Sequence, residues 1–191
     1  MHLSSFPSLR LRRGRSSQWI RNLLTENNLT SNDLIWPIFI CEGENKKDEI
    51  SSMPNVYRYS IDRLDEISET ANELGINLIA LFPYTPEEKK TDSGEESINS
   101  KNLVCKALKK IKSQKNNFGV MCDVALDPYT SHGHDGLVNS EGEIVNDETN
   151  SLLVKQALLF AEHGADIIAP SDMMDGRIAK IRNKLEDEKF Y

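Results

Sequence analysis

The sequence predicts an α/β fold, and three observations carry that prediction. Short runs that are apolar nearly throughout recur along the chain: LIWPIFI (Leu34 to Ile40), INLIALF (Ile76 to Phe82), FGVMCDVAL (Phe118 to Leu126) and ADIIAPS (Ala165 to Ser171). Unbroken apolar character, rather than strict alternation, is what a parallel strand covered on both faces requires. Longer segments with helical periodicity separate these runs. The junctions also repeat, since ELGINLIALFP at Glu73 to Pro83 resembles EHGADIIAP at Glu162 to Pro170. Each is a helix end, a glycine stop and a buried strand, which is the grammar of βαβ units with right-handed crossovers.

Taken in order, the first helix is marked by Ile61, Leu64, Ile67, Ala71 and Leu74, with Ser60 as expected N-cap and Gly75 just past its end. A second follows Ser100 through Leu103, Ala107, Leu108 and Ile111. A third runs through Leu152, Leu153, Gln156, Leu159 and Phe160 to a stop at Gly164, and Ile178, Ile181 and Leu185 begin a fourth. Two polar, turn-rich loops, Pro83 to Asn99 and Asp127 to Asn146, follow strand C-terminal ends, where α/β proteins place their sites. On strand count alone, four strands suit a doubly wound sheet. A TIM barrel needs eight strands and roughly 250 residues.

The composition narrows the class of function. Apolar residues make up 38% and charged residues 28% of 191, as in an ordinary globular domain. Lys plus Arg total 23 against 30 for Asp plus Glu, a net charge of −7, which argues against nucleic acid or an anionic membrane as partner of the whole chain. No apolar run approaches the roughly eighteen residues of a membrane span, and no apolar signal core opens the chain, so a cytoplasmic location is expected. Cys41, Cys105 and Cys122 are scattered without CxxC pairing, which suits a reducing compartment. The exception to the acidic balance is the basic stretch LRLRRGR with Trp19 and Arg21 beyond it. An arm lying on another subunit is the preferred reading, ahead of a solvated tail, a transit peptide or a nucleic-acid patch.

Two stretches carry chemistry. MCDVALDPYTSHGHDG (Met121 to Gly136) gathers Asp123, Asp127, His132, His134 and Asp135 at a strand end and its loop. An acid within a strand costs free energy unless paired, so Asp123 is a site candidate, although loop-capping aspartates and turn-filling histidines are the plainer reading. APSDMMDGR (Ala169 to Arg177) places Ser171, Asp172 and Asp175 at the next strand end, where N-capping of the following helix, with Met173 and Met174 as core, is the plainer reading. No GxGxxG or GxxxxGK[ST] phosphate cradle is present.

DVALDPYTSHGHDG followed by APSDMMDGR is very similar to the signature segments of porphobilinogen synthases. The basic arm, the WPIFI strand, the SMP-N-VYRYS stretch, the LFP strand end and DSGEES extend that resemblance over nearly the whole chain. It implies a TIM (β/α)8 barrel, with residues 1–32 as a subunit-contacting arm and 33–191 as about the first half of the barrel. It also implies a homo-oligomer, usually an octamer, that condenses two molecules of 5-aminolevulinate into porphobilinogen with loss of two waters. Family members bind substrate carbonyls as Schiff bases on two lysines of later strands, while Lys180, Lys184 and Lys189 here belong to a polar helix. The chain as given is therefore expected to lack the amine nucleophiles and to be inactive alone.

By the same resemblance, Asp123 faces the reacting centre and positions or protonates substrate, and Ser171 and Asp172 hydrogen-bond in the same pocket. Zinc-using members carry three cysteines where this chain has Ala125, Asp127 and Asp135. An alanine and two carboxylates make no thiolate zinc site, whereas carboxylate oxygen suits magnesium, so the expectation is magnesium through Asp127 and Asp135 and no catalytic zinc. Two alternatives stand beside the enzyme: an inactive half-barrel that assembles with a full-length subunit, and an unrelated four-stranded hydrolase or lyase built on Asp123 and Ser171, which lacks a GxSxG elbow.

Overall fold

The computed structural model describes residues 5–191. Residues 1–4 of the expected arm lie outside the described residues. The rest of the arm holds a 3₁₀ turn at Leu11–Arg15 and the short helix α1 (Gln18–Leu23), and its apolar side chains stay in solvent, with Leu11 83% and Leu29 80% exposed. The arm ends at a 3₁₀ turn, Ser31–Asp33. There the Thr30 hydroxyl accepts from the Asn32 N–H, and the Asp33 carboxylate accepts from the Thr30 N–H at 2.8 Å, a capping box that turns the chain into the sheet.

The sheet has six strands: β1 (Ile35–Cys41), β2 (Lys47–Glu49), β3 (Tyr57–Ser60), β4 (Leu78–Pro83), β5 (Gly119–Val124) and β6 (Ile167–Pro170), in the spatial order β2-β3-β1-β4-β5-β6. Helix α2 (Leu64–Leu74) leads to β4, α3 (Leu103–Lys112) to β5 and α4 (Asn146–Glu162) to β6, and α5 (Arg177–Asp187) follows. The four long-anticipated strands β1, β4, β5 and β6 are parallel and lie side by side in chain order.

That order decides between the two α/β architectures. A doubly wound sheet reverses direction at a switch point and carries helices on both faces. Here the register pairs Ile38 with Leu81, Leu81 with Cys122 and Cys122 with Ile168, so one layer of side chains runs straight across the sheet. These residues join Leu64 and Ile67 of α2, Leu108 of α3, Phe160 of α4 and Ile181 of α5 in one core. The helices therefore all pack on one face. Residues of the other parity, Pro37, Ala80, Met121 and Ile167, are also in register and line the opposite face, which no helix among the described residues covers. Consecutive parallel strands with helices outside and a second layer inside are the pattern of a (β/α)8 barrel, here part of one.

Several local expectations shift. Strands β2 and β3 were not anticipated, because KDE and YRYS are too short and polar to read as buried runs. They form an antiparallel hairpin whose β3 strand extends the outer edge of β1. Ser60 does not cap an α-helix: a 3₁₀ turn, Ile61–Arg63, intervenes, and the Ser60 hydroxyl accepts from the Lys46 N–H at 2.8 Å. Gly75 does close α2, at φ 66°, a left-handed conformation that favours glycine. The cap of α3 is Asn102, whose side-chain oxygen accepts from the Cys105 N–H at 2.9 Å. Helix α4 starts at Asn146, well before the apolar period at Leu152 that announces it.

The uncovered inner face carries a physical consequence. Ile35 is 49% and Ile167 42% exposed, and β6 ends the sheet with no further strand paired to it among the described residues, whereas β1 is flanked by β3 and β4; such an open edge pairs with whatever strand is available. Chain 1–191 alone should associate in a concentration-dependent way, and an Ile35→Lys, Ile167→Lys double variant should shift it towards monomer. Sizing chromatography with light scattering across a dilution series measures both, and a monodisperse wild-type monomer would contradict this account.

Candidate active site

The inner face ends, at the C-terminal edge of the strands, in a small group of polar side chains on an aromatic floor. Period-two alternation puts Val120, Cys122 and Val124 of β5 against the helices and leaves Asp123 on the inner face. Its register partner is Ala169 of β6. The ladder continues one step past β6, because the Ser171 N–H donates to the Val124 carbonyl at 3.2 Å, so Ser171 has the parity of Ala169 and Asp123. Beside them the Phe39 and Phe82 rings, register partners on β1 and β4, lie 5.7 Å apart. Asp123 and Ser171 are thus brought together, as the sequence anticipates.

Electrostatics mark Asp123 as costly. Burial pushes its carboxyl above the ordinary carboxylate range; hydrogen bonding from the Ser171 side chain partly offsets this, and the charges of Asp135 and Asp172 add to it. Asp127 is raised for the same first reason, burial, and then by Asp135 and Asp123. Because Asp127 is exposed, solvent screens its charge and the effect there counts for less than at Asp123.

Asp172 is placed differently. It is buried, but its carboxylate is engaged by its own loop: Oδ1 accepts from the Met174 N–H at 2.7 Å, and Oδ2 lies 3.0 Å from Arg177 Nε. The Nε–H is not aimed along that line, so the contact is a charge pair rather than a formed hydrogen bond. Neither Ser171 nor Asp172 caps α5, which opens at Gly176. Met174 is core and Met173 is 52% exposed. His132 and His134 fill turns, their Nδ1 atoms accepting from the His134 and Gly136 N–H groups at 3.1 and 3.0 Å. The two long loops are stitched together where Thr91 N–H donates to the Tyr129 carbonyl and Ser131 N–H to the Thr91 carbonyl.

A family model described as delta-aminolevulinic acid dehydratase matches residues 8–191. The chain belongs to the delta-aminolevulinic acid dehydratase family. The dehydratase of Bradyrhizobium diazoefficiens is 53% identical over 94% of this chain and 50% of its own length, and that of Chlamydia pneumoniae is 45% identical over 96% and 55%. A solved structure of the Toxoplasma gondii dehydratase (porphobilinogen synthase), in complex with the reaction product porphobilinogen, superposes with a TM-score of 0.89 at 41% identity. It is matched over 95% of this chain and 51% of that one. The chain spans about half the length of the relatives it matches.

Donor chemistry decides which metal these residues could hold. Ala125 has no donor, and Cys41, Cys105 and Cys122 are buried free thiols that form no group of three ligating side chains among the described residues, so these residues do not fit a thiolate zinc site. Asp127 and Asp135 offer only oxygen, and no group of three ligating side chains forms among the described residues, so no preformed cage exists for a cation.

The site also has supports that sequence reasoning passed over. Asn146 accepts from the Asp175 N–H at 2.8 Å, Asn150 donates to the Asp175 carbonyl at 2.8 Å, and Gln156 donates to the Ala125 carbonyl at 3.1 Å. The available signal was a polar Gln156 standing at a core position of an apolar period.

Because the folded-state value of Asp123 is raised, its neutral form favours the fold. That contribution is present below the unfolded value and is lost as pH rises through the folded one. An Asp123→Asn variant should therefore melt at higher urea than wild type at pH 7, and the difference should shrink on acidification towards the unfolded value, about pH 4. Urea titrations across that range test it; a variant less stable at pH 7 would contradict the burial argument.

Proposed function

We propose that this chain supplies the part of a porphobilinogen synthase barrel that positions substrate, in an enzyme condensing two 5-aminolevulinate molecules into porphobilinogen with loss of two waters. The observation that carries the reading is the pairing of Asp123 with Ser171 on the inner face at the strand C-terminal ends, in a chain matched to the family over residues 8–191. A carboxyl raised by burial can hold and return a proton closer to neutral pH than an exposed one, which dehydration of a carbonyl adduct requires. The Ser171 hydroxyl beside it can orient either the carboxyl or the substrate. The aromatic floor of Phe39 and Phe82 limits water.

The Schiff-base amines belong, in this reading, to lysines on later strands of the full barrel. Two of the last lysines here have other partners: Lys184 pairs with Glu188 at 2.5 Å, which raises its pKa, and Lys180 lies 3.4 Å from Asp147. The exposed arm, with Trp19 68% and Leu23 75% exposed, supports contact with another subunit in a homo-oligomer, an octamer on the family pattern. Those same exposed residues and the uncovered inner face favour a second reading, an inactive half-barrel docking on a full-length subunit. Buried free thiols suit a reducing compartment such as the cytoplasm, although relatives such as that of Selaginella martensii are named chloroplastic. Cell fractionation tests that placement.

Two outcomes follow for activity. Chain 1–191 should form no porphobilinogen and, with 5-aminolevulinate and borohydride, should trap no covalent adduct, whereas the full-length gene product should do both. A specific lysine adduct on 1–191, seen by mass spectrometry, would overturn the assignment of roles, and an inactive full-length product would favour the docking reading. The active product should also keep its rate under zinc-specific chelators and respond to magnesium through Asp127 and Asp135. Activity lost on chelation and restored only by zinc would show that another ligand set replaces the thiolates.

A further inference from the structure

Helix α4 buries polar side chains on the face it turns to the sheet: Thr149, Asn150 and Gln156 all have zero exposure. Each grips a different segment at the sheet's C-terminal end. Thr149 Oγ1 accepts from the Leu137 N–H at 2.9 Å, Asn150 Nδ2 donates to the Asp175 carbonyl at 2.8 Å, and Gln156 Nε2 donates to the Ala125 carbonyl at 3.1 Å. A buried amide without partners is costly, and an aliphatic side chain would fill the same space without that risk. The polar groups therefore point to a demand for orientation rather than packing.

Gln156 grips the most consequential point. Ala125 follows the last residue of β5, where the ladder stops, and stands two residues from Asp123 on one side and two from Asp127 on the other. Immediately beyond it the chain turns tightly, with the Tyr129 and Thr130 N–H groups both donating to the Leu126 carbonyl at 2.8 and 2.9 Å. Tyr129 is itself buried. The Gln156 Oε1 atom has no well-aligned partner, so the bond to Ala125 is the amide's one formed anchor.

We propose that Gln156 is a positioning residue: by holding the Ala125 carbonyl from α4, it fixes the direction of the strand end that presents Asp123 to the inner face. The functional part of this inference rests on the porphobilinogen-forming reading above; the structural part does not. A shift of that strand end by a fraction of its width leaves the core intact but moves Asp123 out of line with the reacting atoms.

The test uses the full-length gene product for kinetics and chain 1–191 for local dynamics. Gln156→Met should lower kcat about tenfold to a hundredfold while KM changes less than about threefold, without a comparable loss of thermal stability. In chain 1–191 the same substitution should speed amide exchange at Tyr129 and Thr130 roughly tenfold and leave Leu81 and Val104 unchanged. Gln156→Glu keeps the shape, and its introduced carboxyl donates to Ala125 only when protonated, so kcat relative to wild type should rise as pH falls. If the Met variant does not fold, that ratio decides. A wild-type product that makes no porphobilinogen sinks the functional reading, while the exchange experiment still judges Gln156. An active wild type with unchanged kcat in Gln156→Met, exchange that does not change at Tyr129 and Thr130, or a pH-independent ratio for Gln156→Glu overturns this inference.

Discussion

The register of the four consecutive parallel strands is the constraint on which everything else rests. Because side chains alternate with a period of two, pairing Cys122 with Leu81 and Ile168 commits the whole layer between sheet and helices. The same pairing, one residue on, commits Asp123 to the opposite face beside Ala169. A slip of one residue would bury the carboxylate among the helices and turn the Cys122 layer inward. Register thus couples stability to function, since the apolar demand of one face dictates which polar groups the other presents.

Against that frame the helices do more than cover the sheet. α2 and α3 contribute apolar stripes, whereas α4 mixes Leu153, Ala157 and Phe160 with buried Thr149, Asn150 and Gln156. Its polar side chains reach the backbone beyond β5 and β6, where ladder hydrogen bonds have run out and buried carbonyls need other donors. The strand ends are where a barrel places its chemistry. A helix that satisfies those backbone groups therefore also holds the segments that follow β5 and β6. The raised Asp123 carboxyl is the local cost of that arrangement, tolerated because the layer beneath is fully packed.

Much of this was legible in the residues. The apolar runs located β1, β4, β5 and β6, and Gly75 and Gly164 marked helix ends, because both signals arise from local chemistry. Strand counting alone favoured a doubly wound sheet, since counting cannot sense the order in which strands become neighbours; the family resemblance supplied the barrel. The β2–β3 hairpin was invisible because it is short and stabilised partly by Lys47 over the Tyr57 and Tyr59 rings, a contact between strands rather than a pattern within one. Asp123 and Ser171 were found through their motifs. Asp172 was found too, but its commitment to Met174 and Arg177 depends on how one loop folds back, which no spacing reveals. Gln156 was visible only as a polar interruption of an apolar period.

The claim that ties these observations together is that Asp123 faces the reacting atoms. Its most direct measurement is the steady-state rate of porphobilinogen formation by the full-length gene product carrying Asp123→Asn, which preserves shape and the acceptor for Ser171 while removing the proton-transferring group. The account predicts a fall in kcat of about a hundredfold or more, with the variant folded. A variant that keeps its rate within about threefold would contradict it, and would leave Asp123 as a structural acid on the inner face.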